Sequence, residues 1–381
     1  MDYIAQRRQE LVRDLKKADG VDALLVTNPV NVTYLTGFTG DSSYLIATPK
    51  QFLLVTDSRF EQQAAEECPG LEAHVRPHDQ TTPEAAAAAL TKLGVKAVGL
   101  EAAHATLALH EQLTAAGPKL TFAPTRGRVE KLRAIKDAGE VEAIRGAVRA
   151  AERAFAMFVP MLREADTEKD LADTLEGFIR RAGGRRSSFP VICAVGDRGA
   201  LPHAPPTARQ LGEGSKLLVD WGADCGYKSD ITRTLKSPFG TAPTRRNKAE
   251  RVGFNFDELY ELVCQAQDAA VAAVRHGVPA SEVDAAARKT IGKHKLRGDP
   301  GLNLADHFTH GLGHGIGLET HEAPRVRANS DDVLETGMVI TVEPGIYIPG
   351  WGGVRVEDDF LVTKDGAVRL TTLPRDPGAI G

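Results

Sequence analysis

LLVDWGADCGYKSDITRT (residues 217–234) and VITVEPGIYIPGWGGVRVEDDF (residues 339–360) share one plan. In each, an apolar run ends near a carboxylate, a glycine-containing turn follows, and a returning strand brings up a second carboxylate. The pairs are Asp220 with Asp230 and Glu343 with Glu357. What precedes them is also alike. Val141, Ile144, Val148, Ala151, Phe155 and Phe158 recur at steps of three and four, which puts them on one face of a long helix. Thr167 and Asp170 form a capping box for a second helix that buries Leu171, Leu175 and Phe178. The order helix, helix, strands then repeats, with helices from about Phe256 to Val274 and Ala280 to Ile291, and strands at Val339–Val342 and Val354–Val356. Two similar halves, each ending in a hairpin, predict a pseudo-symmetric α+β domain with a mainly antiparallel sheet.

The chain ahead of this region, to about residue 125, alternates helical stretches with short apolar runs at Ala23–Val26, Tyr44–Ala47, Phe52–Val55 and Ala97–Leu100. That pattern predicts an α/β domain. The boundaries expected are 1–127 and 128–381. The alanine-rich stretch Glu84–Leu93 reads as a helix, and NPVNVTYLTGFTG (residues 28–40), with its Asn, Pro and Gly, as a loop packed between elements. Residues 241–255 are polar and basic and read as an inserted surface loop with no chemistry of their own.

The 381 residues are 42% hydrophobic, enough for two ordinary cores, and carry a net charge of −4. No basic excess exists for a phosphate backbone or an anionic membrane face, so neither nucleic acid nor membrane is expected as a partner. No apolar run approaches the eighteen or so residues of a membrane span, and the first twenty residues are charged throughout, which leads us to expect a cytoplasmic protein. Cys68, Cys193, Cys225 and Cys264 have no paired spacing and read as reduced packing residues.

Between the two hairpins lies HFTHGLGHGIGLETHEAPR (residues 307–325), with His307, His310, His314 and His321. His310 and His314 have the spacing of helical zinc ligands, but Gly311, Gly313, Gly315 and Gly317 each cost a helix about 1 kcal/mol. The segment is therefore expected to be extended, its glycines letting backbone approach a metal or substrate closely. Each acidic pair alone reads equally as a solvated turn or a strand end. Brought together on one sheet, they change meaning. Two carboxylates about 4 Å apart repel by about 4 kcal/mol at an effective dielectric of 20, so four require cations. An oxygen-rich set with one imidazole, His314, suits Mn²⁺, Co²⁺ or Fe²⁺ better than closed tetrahedral zinc, although Zn²⁺ stays open. Two such ions can activate water and polarise a carbonyl, as attack on an amide requires.

With these motifs the chain resembles the pita-bread metallopeptidases, specifically the aminopeptidase P and prolidase group. The resemblance extends to NPVNVTYLTGFTG and LLVTDSRF in the N-terminal part and to VEKLRAIKDAGEVEAIRGA at the junction. It implies a creatinase/prolidase-like N-terminal domain and a pita-bread catalytic domain. Two divalent ions are implied, with Asp220 on one, His314 and Glu343 on the other, and Asp230 and Glu357 bridging. Glu343 would also take the proton of the nucleophilic water. His203, in ALPHAPP, would contact the substrate or the tetrahedral intermediate. His321 would hydrogen-bond the scissile carbonyl or pass a proton to the leaving nitrogen, and His310 would line the site. Arg355 would support Glu357 from behind. Arg325 in THEAPR matches a prolidase arginine that binds the substrate's terminal carboxylate. The implied reaction is hydrolysis of Xaa-Pro dipeptides; the alternative is an aminopeptidase P acting on longer Xaa-Pro peptides. A metal-free binding module is a further alternative, set against by the complete ligand set, and a homodimer is implied. Asp220 and Asp230 are ten residues apart where the group has eleven, which predicts a tighter or bulged hairpin.

Overall fold

The computed structural model describes residues 3–237, 239–240, 254–296 and 301–375, and its contacts divide the chain into Met1–Arg133 and Ala134–Gly381. Most of the expected inserted loop, residues 241–253, lies outside the described residues.

The first unit is built on a six-stranded sheet in the order Glu72–Val75, Phe52–Thr56, Tyr44–Ala47, Ala23–Val26, Ala97–Glu101, Thr121–Thr125. Its pairings are mixed, antiparallel around Tyr44–Ala47 and parallel elsewhere. The helix Thr82–Lys92 is opened by the Thr81–Glu84 capping box and buries Ala85, Ala86, Ala89 and Leu90 in this unit's core. Residues 28–40 are not a loop. Pro29–Thr36 is a helix: the Asn28 side chain accepts from Val30 N–H, Pro29 occupies the first turn, and Gly37 closes the end at φ 81°. The residues that suggested a loop are the helix's punctuation, and its eight residues are too few to show a period.

In the second unit the helix pairs fall at Ala138–Phe158 with Glu168–Arg181 and at Phe256–Ala273 with Ala280–Lys293. The described strand pairings in this unit are all antiparallel. The first half contributes the sheet Ile231–Lys236, Lys216–Trp221, Ile192–Val195. The second contributes Glu322–Val326, Gly313–Gly315, Val339–Val342, Asp358–Val362, Ala367–Arg369, plus the hairpin Gly345–Ile348 with Gly352–Arg355. Val354 therefore belongs to a strand that ends at Arg355, ahead of the expected Val356.

Strand alternation assigns the faces. Leu217, Val219 and Trp221 point into the core under the first helix pair, where Trp221 stacks on Phe155 at 4.2 Å and donates to Ala151 O. Asp220 points the other way. The same logic sends Ile346, Ile348, Val354 and Val356 into the second core. The halves meet at an antiparallel bridge between Thr232 and Glu357, which carries the second carboxylate of one hairpin to that of the other.

Candidate metal centre

The hairpin carrying Asp220 and Asp230 keeps a single register. Asp220 opposes Thr232 in the ladder and Asp224 opposes Lys228 at the turn, where Gly226 has φ 99°. The ten-residue spacing is even, so Asp220, Asp230 and Thr232 share one face without a bulge. No bulge interrupts this hairpin, and both carboxylates stay on the site side. Gly222 is required here because a Cβ would lie 1.8 Å from Ser229 O.

His314 sits in the short strand Gly313–Gly315, opposite Arg325. The flanking glycines admit neighbouring strands: a Cβ on Gly313 would meet Thr341 O at 2.1 Å, and one on Gly315 would meet Ala323 O at 2.0 Å. The His314 Nδ1 lies 3.1 Å from Gly315 O, which can only accept, so Nδ1 carries the proton and Nε2 offers its lone pair. That nitrogen is 3.5 Å from Glu343 Oε1 and 3.8 Å from Asp230 Oδ2. Burial, then the neighbouring His321, lowers the imidazole to about 3, so His314 is neutral at physiological pH, the form that binds cations.

Around it Asp220, Asp230 and Glu357 are buried and Glu343 is half-buried. Ligand atoms of Asp230, His314 and Glu357 all lie within 4.8 Å of one another. Burial, followed by the charge of Glu357, raises Asp230 and Glu343 well above the ordinary carboxylate range; burial and Asp220 push Glu357 up to about 8. Asp220 Oδ1 is buried without a hydrogen-bond partner. A neutral imidazole, an orphaned carboxylate oxygen and carboxyls that resist ionising side by side are what a cation-binding donor set looks like before the cation's charge is added. The residues fit divalent metal.

The arginine and the other histidines are disposed around this core. Arg355 Nη2 donates to Asp220 Oδ2 at 2.5 Å and its Nε to Thr232 Oγ1, which donates to Glu357 Oε2 at 2.6 Å. Its direct carboxylate partner is thus Asp220, and Glu357 is reached through Thr232. The His321 ring lies 4.2 Å from that of His314, and partial burial with the charge of Arg325 lowers it. His203 and Arg325 are exposed. His203 lies close enough to influence both His310 and His321 electrostatically.

Known proteins share both parts of this chain. The model of metallopeptidase family M24 matches residues 142–364, and that of the creatinase/prolidase N-terminal domain matches residues 7–135. The chain belongs to metallopeptidase family M24. An Xaa-Pro dipeptidase of Pyrococcus horikoshii is 31% identical to it, over 99% of both chains. Among solved structures, an Xaa-Pro dipeptidase from Bacillus anthracis superposes with TM-score 0.87 at 34% identity, covering 98% of this chain and 99% of that one. An X-Pro aminopeptidase from Thermotoga maritima superposes with TM-score 0.84 at 31% identity, covering 97% and 99%. The chain is thus an M24 metallopeptidase with a creatinase/prolidase N-terminal domain.

Sequence reasoning missed some of this M24 site. Tyr347 Oη lies 2.7 Å from His310 Nε2 and accepts from Arg355 Nη1 at 2.8 Å. His310 Nδ1 faces Gly311 O, so Nε2 accepts from the tyrosine; burial and the Arg355 charge hold this histidine at about 3. The signal was available. Tyr347 is an even number of residues from Glu343 and faces Gly353, two residues from Arg355, so the alternation that buries Ile346 and Val354 turns Tyr347 and Arg355 to the site. Asp359, whose Oδ2 accepts from Asp230 N–H at 3.2 Å, follows from the same parity with Glu357.

Proposed function

We propose that this M24 metallopeptidase hydrolyses the Xaa-Pro bond of dipeptides at a dinuclear metal site. The observation that carries the reading is the neutral His314 facing buried carboxylates, in a chain whose full-length relatives include Xaa-Pro dipeptidases. Asp220, Asp230, His314, Glu343 and Glu357 would hold the ions, Mn²⁺ before Zn²⁺ because the set is oxygen-rich with one imidazole. The bound cations supply Lewis acidity to the carbonyl and lower the pKa of water.

The remaining steps belong to side chains. Glu343 accepts the proton of the attacking water. His321 hydrogen-bonds the scissile carbonyl or delivers a proton to the proline nitrogen, a tertiary amide nitrogen that leaves only once protonated. His203 contacts the substrate from the rim, and His310, fixed by Tyr347, lines the wall. Arg325, exposed beside His314 and His321, clamps the substrate's terminal carboxylate with its bidentate guanidinium.

The second reading, an aminopeptidase on longer Xaa-Pro peptides, draws on the Thermotoga maritima relative and on the exposure of Arg325, which leaves room beyond the proline. Assay of a Xaa-Pro dipeptide against the matching tripeptide separates the two: faster cleavage of the dipeptide supports the first, and a preference for the tripeptide moves the assignment to the second. The resemblance in the sequence is the support for a cytoplasmic homodimer.

A further inference from the structure

In the catalytic unit two fully buried acids, Glu168 and Asp284, each pair with a half-buried arginine and take no part in the chemistry above. Glu168, at the start of the helix Glu168–Arg181, is fully buried. Its carboxylate gathers donors from both ends of one loop. Val195 N–H donates to Oε1 at 2.8 Å, and Thr207 N–H and Oγ1–H donate to Oε2 at 3.0 and 2.6 Å. Arg198 Nε reaches both oxygens, at 3.0 and 2.9 Å, while its Nη2 donates to Pro205 O at 2.7 Å. The loop closed in this way carries His203. On the site side, Arg355 Nη1 donates to Pro202 O at 3.2 Å.

The second half has its own version. Asp284, one turn into the helix Ala280–Lys293, is fully buried, accepts from Leu312 N–H at 3.0 Å and pairs with Arg288 at 2.7 Å. Arg288 Nη1 donates to Phe308 O at 2.7 Å and Nη2 to His310 O at 2.5 Å. In both halves the acid accepts from backbone N–H beside a histidine-bearing loop, Val195 and Thr207 in one and Leu312 in the other, and the arginine donates to that loop's backbone, Pro205 O in one and Phe308 O and His310 O in the other. A loop this close to the interior needs partners for its backbone, and a rigid guanidinium fork anchored on a buried acid holds it in one geometry.

We propose that Glu168–Arg198 and Asp284–Arg288 are positioning pairs, one in each half, that hold His203 at the rim of the site and His310 in its wall. The inference rests on the Xaa-Pro reading for its assay. It reaches past general stability, because each pair acts through a particular histidine.

A double-mutant cycle on metal-loaded enzyme tests this. Arg198→Ala is expected to lower kcat/KM on a Xaa-Pro dipeptide by roughly tenfold or more, with metal content unchanged, and by less than about twofold when His203 is already alanine. Arg288→Ala is expected to behave in the same way toward His310→Ala. If Arg198→Ala does not fold, Arg198→Lys, which keeps the charge and gives up the fork, goes through the same cycle. Equal losses in both backgrounds overturn the proposal. If the wild-type enzyme leaves Xaa-Pro dipeptides intact, the substrate reading fails, and amide exchange judges the pinning alone. Faster exchange across residues 196–207 in the arginine variant supports it, and unchanged exchange overturns it.

Discussion

His314 shows how one side chain's state follows from its surroundings. Gly315 O fixes the tautomer, burial and His321 hold it neutral at about 3, and two carboxylates stand where Nε2 points. His321 sits against the same ring at the edge of the site. His321→Ala is expected to lower kcat by roughly 10²- to 10⁴-fold, the usual worth of a placed proton donor, while elemental analysis finds the metal content retained. An unchanged kcat would remove His321 from the chemistry. Arg325→Ala is expected to weaken transition-state binding of a Xaa-Pro dipeptide by about 1.5 to 3 kcal/mol and to leave the Xaa-Pro amide nearly unaffected, since only the acid presents a carboxylate. Comparing kcat/KM for acid and amide reads the difference, and equal losses on both would discard the clamp.

Among the elements, the helix Pro29–Thr36 and the strand Gly313–Gly315 are governed by their ends and glycines more than by hydrophobic period. Asn28→Ala removes the cap on Val30 N–H and is expected to cost about 0.5 to 2 kcal/mol, seen as a lower melting temperature. Gly313→Ala drives a Cβ toward Thr341 O and is expected to cost about 1 to 3 kcal/mol, with lower metal occupancy because His314 moves with its strand. Normal metal content in that variant would show that the strand has more slack than its contacts imply. Long elements were legible in the sequence: the helix Ala138–Phe158 follows from its spacing and the strand Lys216–Trp221 from its apolar run. The residues 28–40 were not, because Asn, Pro and Gly serve turns and helix ends alike. In the site, acid pairs were visible as strand ends, but separate stretches do not reveal that Thr232 meets Glu357 or that Arg355 reaches Asp220. Those contacts come from bringing distant hairpins together.

For the molecule as a whole, the buried carboxyls couple stability to pH and metal. In the metal-free protein Glu357 is raised from 4.5 to about 8, and Asp230 and Glu343 move the same way. The folded state then holds more protons than the unfolded chain, so their contribution is fully present below the unfolded pKa and is lost as pH rises through the folded one. His310 and His314, lowered from 6.5 to about 3, contribute with the opposite sign; that stability is complete above 6.5 and is lost as pH falls through the window down to about 3. Of these groups, the carboxyls are the ones that still act between pH 6.5 and 8. The melting temperature of chelated protein is therefore expected to fall across that interval, and that of loaded protein, whose ligands are ionised by the cation, to stay nearly level. A rise in the chelated protein would contradict the burial argument.

The most direct test of the dinuclear peptidase is titration of chelated enzyme with Mn²⁺ while Xaa-Pro dipeptide hydrolysis and bound metal are followed together. The account predicts no turnover without metal and full turnover at about two equivalents per chain. Full hydrolysis by metal-free protein, or saturation at one equivalent, would contradict it.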